Sequence, residues 1–176
     1  MPYEKIEDLP REKLMELMEI YAKNWLALDG LWFQSIERKL GLPEALEHDA
    51  NAWERFTVIE ARRIKAFLDL PERAGVKGLA QALRFRLYAP LNEDEIIMED
   101  NTVIYRVITC RVQSARNRKG MAYHPCKSVG ILEYTYFART IDDRFETEAL
   151  SCHPDVTDPG CNCMWKFTLK EGSEDV

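Results

Sequence analysis

Several features that would identify a protein class are missing from this 176-residue sequence. Its first 100 residues contain no cysteine, and the five cysteines that follow form no C-x2-C knuckle of the kind that marks many zinc sites. No apolar run approaches the ~20 residues that span a bilayer. The charged start, MPYEKIEDLPREK, lacks the apolar core of a signal peptide. We therefore expect a cytoplasmic protein that does not enter a membrane.

An excess of positive charge is also missing. The formal net charge is −6 and the pI is about 5.2, which argues against a general nucleic-acid binder. The basic segment 114–119 contains no interleaved aromatic residues and is interpreted as a solvated turn. The apolar fraction of 46% is typical of a soluble globular protein. Neither a linker nor a repeat divides the chain, so residues 1–176 are predicted to form a single domain.

Helical periodicity dominates residues 1–100. Apolar residues recur at steps of three and four in a first helix that starts after Pro10 and ends at Gly41, and these steps predict one buried face. The residues of that face are Leu14, Leu17, Met18, Tyr21, Trp25 and Leu28. Two further helices are predicted, over 43–68 and 76–88. Three helices with short connections indicate a helical layer.

Residues 101–176 have a different pattern. Residues 101–113 alternate and are rich in β-branched side chains, which predicts a strand. A basic loop over 114–120, a helix over 125–141 and two strands, 147–152 and 163–169, are predicted after it. The fold class is therefore α+β, with an N-terminal layer of three helices packed on a C-terminal antiparallel sheet that carries one further helix.

All five cysteines lie in this second half. Alternation along the strands predicts that cysteines from three of them meet at one end of the sheet. Soft thiolates favour zinc or an iron–sulfur cluster. We therefore predict a four-cysteine metal site, with four separate buried cysteines as the alternative. The predicted metal ligands are Cys110, Cys126, Cys152 and Cys163, and the candidate additional ligands are Cys161, His153 and His124.

A second hypothesis is nucleophilic catalysis. Cys126 follows Pro125 at the predicted start of a helix, where free backbone N–H groups and the helix dipole favour a thiolate. Glu133 lies about two turns further along on the same face. These residue types predict a hydrolase in which Cys126 attacks a small substrate and Glu133 or a histidine moves protons.

A third hypothesis is a non-catalytic sensor of a small molecule. The helices of the first half are rich in aromatic side chains, which could line a ligand pocket or form the interface of a homodimer. The sequence leaves this hypothesis open beside the metal site and the hydrolase.

Six segments together resemble a family of small cytosolic bacterial and archaeal proteins that carries only a domain-of-unknown-function label. They are IYAKNWLALDGLWFQSIE (20–37), WERFTVIEARRIKAFL (53–68), LRFRLYA (83–89), CRVQSARNRKGM (110–121), PCKSVGILEYTYFARTID (125–142) and CHPDV…CMWKF (152–167). The resemblance implies cysteines at the four predicted ligand positions, and leaves His153 and Cys161 as additions particular to this chain. More remotely, the sequence is similar to the L-2-amino-thiazoline-4-carboxylic acid hydrolase-like group. That similarity implies a cysteine- or metal-dependent hydrolase of a cyclic amide or thiazoline-type substrate.

Overall fold

A computed structural model describes residues 3–170, and in that range the chain forms five α-helices and four β-strands. The helices are α1 (Arg11–Leu40), α2 (Leu42–Phe67), α3 (Gly75–Leu83), α4 (Arg111–Arg118) and α5 (Lys127–Ile141). The strands are β1 (Glu93–Glu99), β2 (Thr102–Thr109), β3 (Phe145–Cys152) and β4 (Cys163–Leu169). The predicted α+β class is confirmed.

The four strands form one antiparallel sheet in the order β1-β2-β4-β3. Burial alternates along β2, where Val103, Tyr105 and Val107 are buried and the residues between them are partly exposed. In β4, Trp165 and Phe167 are buried in the same way. This alternation means that one face of the sheet is packed and the other is largely open to solvent.

Helix α5 lies on the packed face, with α2 along its outer side and α3 against β1 and β2. Gly130 of α5 allows the close approach, because a Cβ atom at this position would lie 2.7 Å from the ring of Trp165. Helix α1 packs on α2, further from the sheet. The main apolar core therefore lies between α5, α3 and the sheet.

Two elements differ from the sequence prediction. Strand β1 lies in a segment assigned to the helical half, where the sequence EDEIIME lacks a clean alternation. It pairs only with β2, and a charged edge strand of this kind resists pairing with other chains. Helix α4 occupies most of the predicted basic loop. Tertiary contacts hold this short helix, since Arg116 donates to the carbonyl of Ala122 and forms an ion pair with Glu37.

Helix α1 also differs. Much of its predicted buried face is exposed, including Leu14, Met18, Tyr21 and Leu28, whereas Phe33 and Ala22 are buried. Helical spacing identifies a face, but the neighbouring elements decide how much of it is covered. The homodimer interface that was predicted for the aromatic helices stays a prediction.

No helix within residues 3–170 combines the length and the apolar composition that crossing a bilayer requires.

Candidate functional site

A cavity of about 490 Å³ lies at one end of the space between the helices and the sheet. Strand β2 ends there, β4 begins there, and α5 begins there at its N-cap residue Cys126. Residues of α1 and α2 form the opposite wall. The cavity thus lies where loops and element termini meet, beyond the packed core.

Six aromatic side chains line much of the cavity: Trp25, Phe33, Trp53, Tyr88, Tyr134 and Trp165. The rings contact one another directly. Trp25 meets Trp53 edge-on with centroids 5.5 Å apart, and Tyr134 lies 4.7 Å from Trp165. Such contacts fix the orientation of the rings, so the wall is largely formed before any ligand arrives.

Three carboxylates also line the cavity, from three different helices: Asp29, Asp49 and Glu133. Burial, reinforced by the charges of Asp49 and Glu133, raises the pKa of Asp29 to about 7. The nearby His124 acts in the opposite direction and lies 3.7 Å from Asp49 through Nε2. No hydrogen bond from within residues 3–170 is among the causes of this shift.

Glu133 is held by a buried network behind the aromatic wall. The guanidinium of Arg86 donates to Glu133 at 2.6 Å and, through two other nitrogens, to Glu60 at 2.8 and 3.0 Å. Tyr88 donates its hydroxyl hydrogen to Glu133. Burial raises the pKa of Glu133, although Arg86 and Tyr88 oppose the rise. The one cation of this network is therefore shared by two carboxylates, Glu60 and Glu133.

A pair of thiols lies at the N-terminus of α5. The sulfurs of Cys126 and Cys152 are 3.5 Å apart, and Gln113 donates to Cys126 through Nε2 at 3.6 Å. The hydrogen bond between the two thiols is the main reason that the pKa of Cys126 lies below the usual range of a thiol. The same hydrogen bond, together with a second one involving Cys163 and with burial, raises the pKa of Cys152.

The other predicted ligands are placed nearby. Cys163 is the direct cross-strand neighbour of Cys152 in the pairing of β3 with β4. Cys110 is the N-cap residue of α4, and burial raises its pKa to about 11. The chain therefore brings all four cysteines to the same end of the fold.

The predicted metal centre is nevertheless wrong. Within residues 3–170, no group of three or more His, Cys, Asp or Glu side chains could hold a metal ion. The zinc or iron–sulfur site assigned to Cys110, Cys126, Cys152 and Cys163 is corrected accordingly. Strand alternation and spacing bring cysteines to a common edge, but they do not aim each thiol at a shared centre.

The three candidate additional ligands make other contacts. His153 stacks on Tyr123 at 4.5 Å, and Cys161 lies 3.7 Å from a carboxylate oxygen of Asp158. His124 packs edge-on against Phe33 with centroids 4.8 Å apart. Of the three, only His124 lines the cavity.

The predicted catalytic residues Cys126 and Glu133 both line the cavity, on the same face of α5. Glu133 is tied to Arg86 and Tyr88, so its carboxylate is already engaged in the buried network. A role for either residue in catalysis stays a prediction.

Sequence reasoning missed several residues of the site. Asp29 was not among the predicted site residues, although it lies within the predicted first helix, as it does in α1. Its spacing of four residues from both Trp25 and Phe33 places it on their face of the helix, and this signal could have identified it. Arg86 and Gln113 gave no comparable signal, because their partners are distant in sequence.

Gln113 anchors the segment before α5. Its side-chain amide donates to the carbonyl of His124 and accepts from the N–H of the same residue, both at 2.9 Å. These two hydrogen bonds fix the turn that presents Cys126.

Among curated proteins, none matches the sequence significantly. The remote similarity to the thiazoline hydrolase-like group is not tested by any match and stays a prediction. The resemblance to a family that carries only a domain-of-unknown-function label is confirmed, because such a family matches residues 7–169. With nearly its whole length matched, the chain belongs to DUF6125, a family of unknown function.

Proposed function

We propose that the protein binds a small molecule with an apolar body and a positively charged nitrogen in the cavity between its helices and its sheet. The observation that carries this proposal is the combination, in one cavity, of aromatic walls with three carboxylates, of which the partly buried Asp29 has a pKa that no hydrogen bond from within residues 3–170 lowers.

The size and the walls of the cavity support a small organic ligand. A volume of about 490 Å³ falls within the range of roughly 300–1,000 Å³ that is typical of small-molecule sites. Such sites are mostly apolar, with a few polar groups that orient the ligand. Trp165 adds a further polar group, since its buried indole N–H has no hydrogen-bond partner within residues 3–170.

The charge of the ligand follows from the carboxylates. Arg86 is already shared by two carboxylates, which leaves Asp29 and Asp49 with only His124 nearby as a compensating base. The faces of aromatic rings also attract cations, and Arg86 already lies 4.6 Å from the ring centroid of Tyr88. A ligand ammonium group would satisfy both features.

Basic side chains also line the cavity, and they favour a negatively charged ligand. Lys23, Arg118 and Lys119 are exposed, however, and Arg116 is paired with Glu37, whereas Arg111 is partly buried. Exposed charges are screened by water and salt, whereas the carboxylates lie in a less polar surrounding where a charge has a stronger effect. We therefore expect the carboxylates to decide the preference.

Thermal-shift and calorimetric titrations with three matched probes test the proposal: 2-phenylethylamine, 2-phenylethanol and 3-phenylpropionate. We expect the amine to raise the unfolding temperature most and the carboxylate least, since a ligand that binds only the folded chain stabilises it. Absence of binding by all three probes would contradict the proposed function.

Two variants locate the binding. Asp29→Asn is expected to weaken amine binding about tenfold, because it removes a buried negative charge beside the ligand. Glu12→Gln, a change at an exposed position of the same helix, is expected to leave binding unchanged. Equal affinity for the three probes, or loss of binding in Glu12→Gln, would contradict the assignment of the cation to this cavity.

A further inference from the structure

We propose that Cys126 and Cys152 form a thiol pair that undergoes thiol–disulfide exchange with low-molecular-weight disulfides entering the cavity. The proposal uses the same cavity as the proposed function, but it does not depend on the charge of the ligand. Its reactive atoms are the two sulfurs at the start of α5.

The geometry allows the two sulfurs to form a bond. They lie 3.5 Å apart, so closure to the ~2.05 Å of a disulfide requires only a small movement of the side chains. The backbone holds the two segments together, since the N–H of Lys127 donates to the carbonyl of His153 at 2.9 Å. Lys127 follows one cysteine and His153 follows the other, so the main chain fixes the pair from the residues next to it.

The two thiols differ in exposure and in ionisation, as expected for one attacking and one resolving cysteine. Cys126 lines the cavity and is partly exposed, whereas Cys152 is almost fully buried behind it. The two thiols form a hydrogen bond in which Cys152 can act as the donor, and the amide of Gln113 donates to the sulfur of Cys126. Hydrogen bonds to a thiolate favour the ionised form, and the thiolate is the attacking species. Burial and the Glu133 carboxylate oppose this effect but do not reverse it.

The exchange balances in two steps. The Cys126 thiolate attacks one sulfur of a small disulfide RSSR, which forms a mixed disulfide and releases one RS⁻. Cys152 then loses its proton to that RS⁻, and its sulfur attacks the sulfur of Cys126, releasing the second RS⁻. The two protein thiols are oxidised to one disulfide while the small disulfide is reduced to one RSH and one RS⁻.

The neighbouring cysteines supply comparisons within the same cavity. Cys110 lines the cavity as Cys126 does, but burial raises its pKa to about 11. Cys163 is the cross-strand neighbour of Cys152 and is the competing partner for a disulfide. Both alternatives can be distinguished by mapping the modified peptides.

The first experiment uses the unmodified protein and bis(2-hydroxyethyl) disulfide as the probe. At pH 7, peptide mapping by mass spectrometry is expected to show Cys126 modified at least tenfold faster than Cys110, followed by a Cys126–Cys152 disulfide. Equal rates at the two cysteines, or a Cys152–Cys163 disulfide in place of the expected one, would overturn the proposal.

Two substitutions at one position then separate the roles of Cys152. Cys152→Ser keeps a hydroxyl donor to Cys126 but cannot form the second bond, so the mixed disulfide on Cys126 should accumulate. Cys152→Ala removes the donor as well, so the reaction of Cys126 should slow and its pH profile should move to higher pH. Cys161→Ser, at a cysteine that does not line the cavity, is the control and should react as the unmodified protein does. An unchanged rate and pH profile in Cys152→Ala would show that the pair does not activate Cys126 and would overturn the proposal.

A binding measurement keeps this result distinct from the proposed function. If 2-phenylethylamine binds but Cys126 is not selectively modified, the exchange proposal fails and the ligand proposal stands. If Cys126 undergoes exchange but none of the three probes binds, the exchange proposal stands and the ligand proposal fails.

Discussion

The space between the helices and the sheet has two ends, which differ in the polarity and the packing of their side chains. At the end formed by α3, the C-terminal part of α5 and the start of β3, the side chains are apolar and almost fully buried. They include Leu79, Val103, Phe137, Ile141, Phe145 and Phe167. At the other end lie the cavity, the thiols and the carboxylates.

The difference shows where the fold is stabilised and where it is available for function. The packed end contributes apolar burial, at roughly 25 cal/mol per Å². The cavity end instead brings carboxylates from three helices to an aromatic space. Ionisable groups that are withdrawn from water cost stability, and in proteins they concentrate where ligands bind or chemistry takes place.

The largest expected effect is at the packed end. Phe137→Ala should lower the free energy of unfolding by about 3–5 kcal/mol, because it leaves a void among fully buried side chains. Urea unfolding measures the change. Tyr136→Ala, at the exposed neighbouring position of α5, is the control and should change stability by no more than about 0.5 kcal/mol. Similar losses in both variants would contradict the contrast between the buried core and the surface.

Arg86 lies between the two ends. Its guanidinium is 4.6 Å from the ring centroid of Tyr88, which lines the cavity, and 4.6 Å from that of Phe137 in the packed core. Arg86→Met should cost about 3–5 kcal/mol at pH 8, because it leaves Glu60 and Glu133 buried without their cation. The loss should be smaller at pH 5, because burial raises the pKa of Glu133 and favours uptake of a proton there. Arg73→Met removes an exposed ion pair with Asp143 and should change little. A loss that does not depend on pH would indicate that Arg86 acts only through its packing.

Asp29 allows a pH-dependent test of the cavity end. Its pKa is higher in the folded chain, about 7, than the 3.8 of a free carboxyl, so the folded state retains a proton that the unfolded state has released. The contribution of Asp29 to stability therefore falls as pH rises from about 4 to about 7, and the full cost of its ionisation is present above pH 7.

Asp29→Asn removes this titration. Relative to the unmodified protein, the variant should be more stable by roughly 2–4 kcal/mol at pH 8 and equally stable at pH 4. Asp49, Glu133 and His124 face the same carboxylate, so the profile should be measured against Glu12→Gln on the same helix. A stability difference that is constant from pH 4 to pH 8 would contradict the raised pKa.

The smallest effects come from two glycines in helices. Gly130→Ala should destabilise the protein by about 1–2 kcal/mol, since the new Cβ would lie 2.7 Å from Trp165. Gly30→Ala on α1 has its nearest neighbour, the Gln34 amide, at 4.0 Å and should stabilise the helix by about 0.5–1 kcal/mol. Thermal unfolding of the two variants should therefore shift in opposite directions. A shift in the same direction would show that Trp165 can move away from α5.

The position of Cys110 illustrates what sequence reasoning achieved and where it failed. The even-numbered residues of β2 were grouped with Cys110, but the buried residues of that strand are the odd-numbered ones. Cys110 still reaches the cavity, because the strand ends at Thr109 and Cys110 becomes the N-cap residue of α4. Alternation predicts the face of a residue only as far as the strand extends.

Glu133 shows a related limit. Its spacing from Cys126 placed both residues on one face of α5, and the structure confirms this placement. Its partners Arg86 and Tyr88 come from a segment that was predicted to continue the third helix, which instead ends at Leu83. The buried pairing of Arg86 with Glu60 and Glu133 stabilises this non-helical segment, and local helix propensity contains no information about such a pairing.

The sequence by itself determined the α+β class and most of the helices and strands, because periodicity and chain order are local properties. Only the tertiary structure decided that two of the thiols form a pair, that no group of side chains within residues 3–170 could hold a metal ion, and that carboxylates from α1, α2 and α5 share one aromatic cavity. These features depend on the directions of side chains on elements far apart in sequence. Those directions are set by packing, which no local pattern encodes.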